Sequence, residues 1–188
     1  MELMEAIYQR RSIRKYKDDP VPKEVVGRLL EAATLAPSAS NSQPWAFAVI
    51  QDRDRLLGYS DRAKALFLEW FKNQADPQGY LALLSKPDFN IFYDAGTLVI
   101  IYSRYGNVSP MALGDCCLAA ENLMLAAHGL GLGSCWIGFA TLLVNDPAFK
   151  EELGIPQDYQ AVAPLILGYP EAVPSGYSRK PPEVLVWE

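Results

Sequence analysis

The stretch from residue 111 to residue 132 constrains this chain more than any other. Met111, Leu113, Cys116, Cys117, Leu118, Leu123, Met124 and Leu125, together with several alanines, fall on every side of a helix axis. A helix that is apolar all round offers no face to water and must be buried all round. Asp115, Glu121, Asn122 and His128 interrupt the run, so it is a poor membrane span, and no membrane association is expected. The 188 residues make a single domain, 1–188, and one small domain rarely surrounds such a helix. A homodimer that packs the helix against its twin would do so, through an apolar, obligate interface.

Around this helix the pattern alternates between helical and extended segments. Helices are expected over residues 2–11 and 22–36, the second opened by Pro22 and stopped by Pro37. A polar loop, 37–44, leads into a buried strand over 45–50. Residues 53–74 read as a helix, and 76–88 as a segment broken by Pro77, Gly79 and Pro87. Core strands are expected over 97–102, 134–137 and 161–167. Residues 104–109 read as a loop, and Pro110 opens the long helix. Asn145-Asp146-Pro147 caps a short helix that runs to about residue 153. The Pro-rich tail ends in Val184-Leu185-Val186-Trp187, a strand in search of a sheet.

Composition narrows the function. A formal charge of −5 lacks the basic excess of a nucleic-acid binder. The single histidine, His128, sits in the apolar helix and reads as a core or interface residue. A Ser-His-Asp hydrolase or a His-ligated metal site is therefore hard to build. Cys116, Cys117 and Cys135 are odd in number and match no zinc or CxxC spacing. They read as reduced thiols of a cytoplasmic protein, and the N-terminal stretch lacks the pattern of a secretory signal. No catalytic side chain and no metal ligand is nominated, so the chemistry is expected to ride on a bound cofactor.

Four local patterns bear on that cofactor. Arg10-Arg11-Ser12-Ile13-Arg14 places three guanidiniums and a hydroxyl together, and arginine forks match phosphate oxygens. Cations at a helix C-terminus also complement its dipole, which accounts for the same residues without a ligand. The loop 37–44 carries Asn41 and Gln43, whose amides suit the edge of a heterocycle and serve equally well to satisfy a loop backbone. Residues 129–138 are glycine-rich but follow a helix and enter a strand. They are therefore not the dinucleotide fingerprint, which follows a strand and opens a helix. Gly138 and the small residues before Trp136 would admit a planar ligand close to backbone, or simply pack in a core strand. Ser178-Arg179-Lys180 is by itself a solvated basic turn.

In this order along the chain, the four patterns resemble the nitroreductase family of flavoenzymes. Tyr93-Asp94-Ala95 before the 97–102 strand and Gly168-Tyr169-Pro170 add to the likeness, which covers nearly the whole sequence. The resemblance implies an α+β, three-layer α-β-α fold. Its mixed, mostly antiparallel sheet would be flanked by helices, with a domain-swapped C-terminal tail in a homodimer. It implies two FMN sites at the dimer interface and NAD(P)H as electron donor. Arg10, Arg11 and Ser12, with Arg179, would cradle the phosphate and ribityl chain. Arg14 would stand near the pyrimidine edge of the flavin. Pro37, Ser38, Ser40 and Asn41 would come from the partner subunit, and Trp136, Ile137 and Gly138 would line one flavin face. Tyr177 replaces a lysine common among relatives at one phosphate contact. The implied activity is ping-pong reduction of planar acceptors such as nitroaromatics, quinones or flavins. A specialised flavin reaction such as dehalogenation or dehydrogenation, and a non-catalytic FMN-binding protein, are the alternatives. A dimer with no cofactor would leave the arginines on the surface. Trp70, Phe71, Tyr80, Phe89 and Phe92 serve as lid residues or as ordinary core.

Overall fold

A computed structural model describes residues 2–72, 76, 78–104, 110–176 and 178–188. In chain order its elements are α1 (Leu3–Gln9), α2 (Lys23–Thr34), β1 (Trp45–Ile50), α3 (Arg53–Phe71), α4 (Tyr80–Leu84) and β2 (Thr97–Ser103). They continue with α5 (Pro110–Gly129), β3 (Gly133–Trp136), α6 (Thr141–Val144), α7 (Pro147–Glu152) and β4 (Gln160–Gly168). The four strands form one antiparallel sheet in the order β1-β2-β4-β3.

β2 is buried from end to end, and its alternation assigns the layers. Leu98, Ile100 and Tyr102 point to one side, into a core shared with Leu56, Tyr59 and Ala63 of α3, Leu143 of α6 and Phe149 of α7. Val99 and Ile101 point to the other, into a core shared with Leu29 and Ala33 of α2 and Cys116, Ala119 and Leu123 of α5. The result is the expected α-β-α sandwich. An unbroken apolar strand such as Thr97–Ser103 fits a sheet covered on both faces. The ladder slips between Ile101 and Tyr102, which pair with Ala163 and Ala161 and leave Val162 as an extra residue. That bulge reverses the alternation, so Ala161 and Ala163 belong to opposite cores.

α5 is only half covered in one protomer. Ala112, Cys116, Ala119, Ala120, Leu123 and Ala127 are buried against the sheet and α2. Met111 at 63% exposure, Leu118 at 47% and Cys117 remain outside. α1 extends this surface with the exposed Leu3, Met4, Ile7 and Tyr8.

Most element boundaries fall within a few residues of those expected. Helix α4 lies within the segment expected to be broken. It starts because both Asp76 carboxylate oxygens accept from backbone, at 2.8 Å from Tyr80 N and 2.8 Å from Leu81 N. α6 was not expected at all. Residues 184–187 are exposed and belong to no strand of the described protomer. β1 ends the strand order, so its outer edge has no neighbouring strand among the described residues.

Glu152 at the end of α7 ties this layer to α3. Its carboxylate accepts from Tyr59 Oη at 2.6 Å and from Arg62 Nη1 at 2.6 Å, with Arg55 Nη2 at 3.3 Å. The Tyr59 hydrogen bond, then the Arg62 hydrogen bond, hold this carboxyl below its usual value of 4.5. A depressed folded-state value stabilises above the unfolded value and is lost as pH falls through the folded one. Glu152→Gln should therefore narrow the loss of stability below about pH 4.5 and leave the trend between pH 6 and 8 unchanged. Urea denaturation across this range checks it, and identical profiles for the two proteins would refute it.

Candidate functional site

The site is organised where the chain after α1 crosses the exposed edge of β3. Ser12 bridges Ser134 in parallel, Ile13 N donates to Ser134 O at 3.0 Å, and Lys17 N donates to Tyr169 O at 2.8 Å. The contact is an isolated bridge, and the sheet itself is antiparallel throughout rather than mixed. Two glycines permit the approach. A Cβ on Gly133 would lie 2.7 Å from Ile13 Cγ1, and one on Gly168 would lie 2.7 Å from Tyr16 Cδ1. Both separations are far inside van der Waals contact, and the β-branched Ile13 has little freedom to move. Gly133→Ala is expected to cost about 1–3 kcal/mol and to loosen the 12–14 segment. Thermal denaturation and hydrogen exchange at Ile13 check this, and wild-type exchange there would contradict it.

The crossing segment sends Arg14 to one side and Arg10 and Arg11 to the other end. Arg14 lines a cavity of about 630 Å³ whose walls are largely aromatic: Phe67, Trp70, Phe71, Tyr80, Trp136 and Phe139. Phe139 meets Phe67 and Tyr80 edge to face, with ring centres 5.6 and 5.1 Å apart. Cys135, Ile137 and Gly138 line the same cavity. Arg14 stands over the Tyr93 ring at 5.8 Å. Tyr93 and Asp94 have φ of 51° and 57°, left-handed values that cost strain in non-glycine residues. The turn is held by Asn90, whose Nδ2 donates to Asp94 Oδ1 at 2.9 Å and whose Oδ1 accepts from Phe92 N at 2.9 Å. Burial pushes the Tyr93 hydroxyl and the Cys135 thiol up from their ordinary values, so both are protonated at neutral pH. Cys135 is thus a packing residue, as expected, and not a thiolate.

A second, smaller pocket of about 170 Å³ lies at the other end, lined by Arg10, Arg11, His128, residues 131–134, Pro170 and Val173. Arg11 Nη1 donates to Tyr8 O at 2.7 Å and to Arg10 O at 2.8 Å, so it does cap the C-terminus of α1. Arg10 Nε stands 3.7 Å from Glu121 Oε1 of α5. His128 Nε2 is buried with no hydrogen-bond partner.

The expected residues therefore divide into three places. Arg14, Trp136, Ile137 and Gly138 meet at the aromatic cavity, and Arg10 and Arg11 at the small pocket, with Ser12 on the bridge between. Arg179 is exposed in the tail. Gly176, just before it, lies so close to Arg11 that a Cβ there would come within 2.6 Å of Nη2. Pro37, Ser38, Ser40 and Asn41 border neither pocket. Their loop is nonetheless rigidly built. Ser40, Asn41 and Gln43 have φ of 53°, 52° and 46°. Ser38 Oγ accepts from Gln43 N at 3.0 Å, Arg104 Nη2 donates to Gln43 O at 2.7 Å, and Ala39 N donates to the buried Asp115 carboxylate at 3.2 Å. Tyr177 and residues 105–109 lie outside the described residues. Of the lid candidates, Trp70, Phe71 and Tyr80 line the cavity. Phe89 packs on Tyr93, and Phe92 is core. Sequence reasoning missed Phe67 and Phe139 as cavity walls. The helical spacing of Phe67 with Trp70 and Phe71 was its only trace.

Fold and pockets together describe an α+β protein with an aromatic cavity suited to a planar group and, at the other end of the 10–14 segment, a basic pocket suited to an anionic one. The chain belongs to the nitroreductase family, whose model matches residues 7–169. A relative from Archaeoglobus fulgidus, provisionally named NADH dehydrogenase/NAD(P)H nitroreductase, is 35% identical over 170 residues, spanning 90% of this chain and 86% of its own length. An NADH dehydrogenase of Thermus thermophilus is 30% identical over 199 residues, spanning 97% and 94%. The crystal structure of a Bacteroides fragilis nitroreductase with bound FMN superposes with a TM-score of 0.86 at 28% identity, covering 100% of both chains. Among the described residues no helix is long and apolar enough to cross a membrane.

Proposed function

We propose that the chain is a cytoplasmic, homodimeric FMN-dependent NAD(P)H oxidoreductase that reduces planar acceptors such as nitroaromatics, quinones or free flavins by a ping-pong mechanism. The observation that carries this reading is the aromatic cavity bordered by Arg14 and the 136–138 segment, together with a basic pocket around Arg10 and Arg11 that the same 10–14 segment and β3 also line. The donor set fits the cofactor. Arginine forks suit a phosphoryl group, and aromatic walls suit a tricyclic ring. The relatives named for NAD(P)H or NADH chemistry, and the neighbour carrying FMN, support the same assignment.

FMN, when bound, supplies the two-electron chemistry, taking a hydride from NAD(P)H and passing electrons to the acceptor. This chain's residues bind and orient. Arg10, Arg11 and Ser12, with Arg179, would hold the FMN phosphate and ribityl chain. Trp136, Ile137 and Gly138 would line its ring. Arg14 would supply a positive charge that favours the reduced, electron-rich flavin. Phe67, Trp70 and Phe139 exclude water from the space that donor and acceptor occupy in turn. No side chain is required as acid or base.

The half-covered α5, with Met111 and Leu118 outside, supports an apolar dimer interface continuous with α1. In that dimer the left-handed loop Pro37–Asn41 reaches the partner's flavin. The tail 184–187 lends a strand to the partner. Anaerobic spectra of FMN-loaded, desalted protein test the whole reading. Flavin absorbance should be retained, bleach on NADH or NADPH, and return with a quinone or nitroarene. Retained flavin that stays yellow would make this a binding protein, and a colourless protein would remove the cofactor altogether.

A further inference from the structure

His128 is half-buried, and its Nε2 is the one buried side-chain nitrogen or oxygen that finds no hydrogen-bond partner among the described residues. It sits in the last turn of α5, and its ring helps to wall the small pocket with Arg10 and Arg11. A buried ring nitrogen left without a partner is costly unless something arrives to bond it. The neighbours select what that is. The charged groups acting on His128 are Arg10 and Arg11, just past α1, which oppose its protonation, and Glu5 of α1, which favours it. The other walls, residues 131–134, Pro170 and Val173, bring no titratable group. Arg11 uses Nη1 on the α1 carbonyls, and Arg10 touches Glu121 only through Nε. The remaining guanidinium nitrogens of both make no hydrogen bond among the described residues. The pocket thus gathers two guanidiniums and an imidazole, with no carboxylate among its lining residues. Its volume of about 170 Å³ is roughly a quarter of the aromatic cavity's 630 Å³ and is enough for a phosphoryl group.

We propose that His128 is a third donor, beside Arg10 and Arg11, to the phosphoryl group of the bound flavin nucleotide. This rests on the flavin reading above and extends it to a residue on a different element from the arginine run. The linkage has a definite sign. In the free protein, burial first and Arg10 second hold the imidazole below its usual value. A phosphate dianion offsets the arginine field and accepts from Nε2–H, which favours the protonated ring. Nucleotide binding and proton uptake are therefore coupled.

Because the chain has one histidine, its imidazole Cε1–H gives one resonance and can be titrated without mutation. The midpoint should rise when FMN is added to cofactor-free protein and stay put with riboflavin, which has the ring without the phosphate. His128→Leu should weaken FMN about tenfold, the scale of one charge-assisted hydrogen bond, with riboflavin affinity unchanged, and His128→Gln should restore part of the loss. An imidazole midpoint indifferent to FMN, or equal weakening of FMN and riboflavin in the leucine variant, overturns the proposal and leaves the flavin assignment intact. Failure of the native protein to bind FMN at all overturns both.

Discussion

Arg10→Ala is expected to weaken FMN binding by ten- to a hundredfold while leaving the fold and the dimer intact. A guanidinium–phosphate contact is charge-assisted and worth about 1.5–3 kcal/mol, and each 1.4 kcal/mol is about tenfold in affinity. What Arg10 does for the free protein is small by comparison. Its Nε stands a long 3.7 Å from the Glu121 carboxylate, with the Arg10 side chain 20% and the Glu121 side chain 47% exposed, and a long, partly exposed pair of this kind contributes about 1 kcal/mol. The variant should therefore melt close to the wild type without cofactor and separate from it in the presence of FMN, since a ligand stabilises only the state that binds it. Arg179→Ala should behave alike if the tail delivers that side chain to the same phosphate. Flavin fluorescence titration decides the matter. Wild-type affinity in both variants would remove the phosphate assignment.

Leu118→Asp should convert the dimer to a folded monomer that no longer holds flavin. Leu118 is 47% exposed in the protomer, so a carboxylate there leaves the core alone. At a closed apolar interface the same carboxylate is buried without a partner, which costs on the order of 3–5 kcal/mol. That exceeds a hundredfold in dimer affinity at about 1.4 kcal/mol per tenfold. Sedimentation velocity should give a monomer with native circular dichroism, and flavin should be lost because the Pro37–Asn41 loop is no longer supplied across the interface. A stable dimer with bound flavin would place the interface elsewhere and break the link between α5 and the shared site.

Much of this was legible before any coordinates. The burial of the 97–102 strand follows from an unbroken apolar run, and the apolar outer side of α5, with Met111 and Leu118 exposed, follows from a helix with no polar face. Asp146 was readable as a cap, and its carboxylate indeed accepts from Phe149 N at 3.1 Å. What stayed hidden depends on separations that no local pattern records. The bulge at Val162 is one extra residue in a uniformly apolar strand, so periodicity does not mark it. α4 hinges on Asp76 reaching past Gly79 to two amides, while its prolines and glycine signal only a break. The terminal strand was legible as a propensity, but a strand is a relation between two chains or segments, and one protomer supplies no neighbour for it. At the site, Arg14 was singled out on pattern, yet its seat over Tyr93 required the left-handed turn at residues 93–94. His128 was read as packing because a lone histidine in an apolar helix carries no hint of the arginines that approach it from α1.

The separation of the Pro37–Asn41 loop from both pockets of its own protomer has a genetic consequence. If each centre takes its arginines from one chain and its loop from the other, a lesion in Arg10 and a lesion in Asn41 damage different halves of the same centre. Either allele alone would give a dimer with both centres impaired. When the two are expressed together, a mixed dimer concentrates both lesions in one centre and leaves the other wholly native. Two inactive alleles of this gene would then complement one another within a single protein.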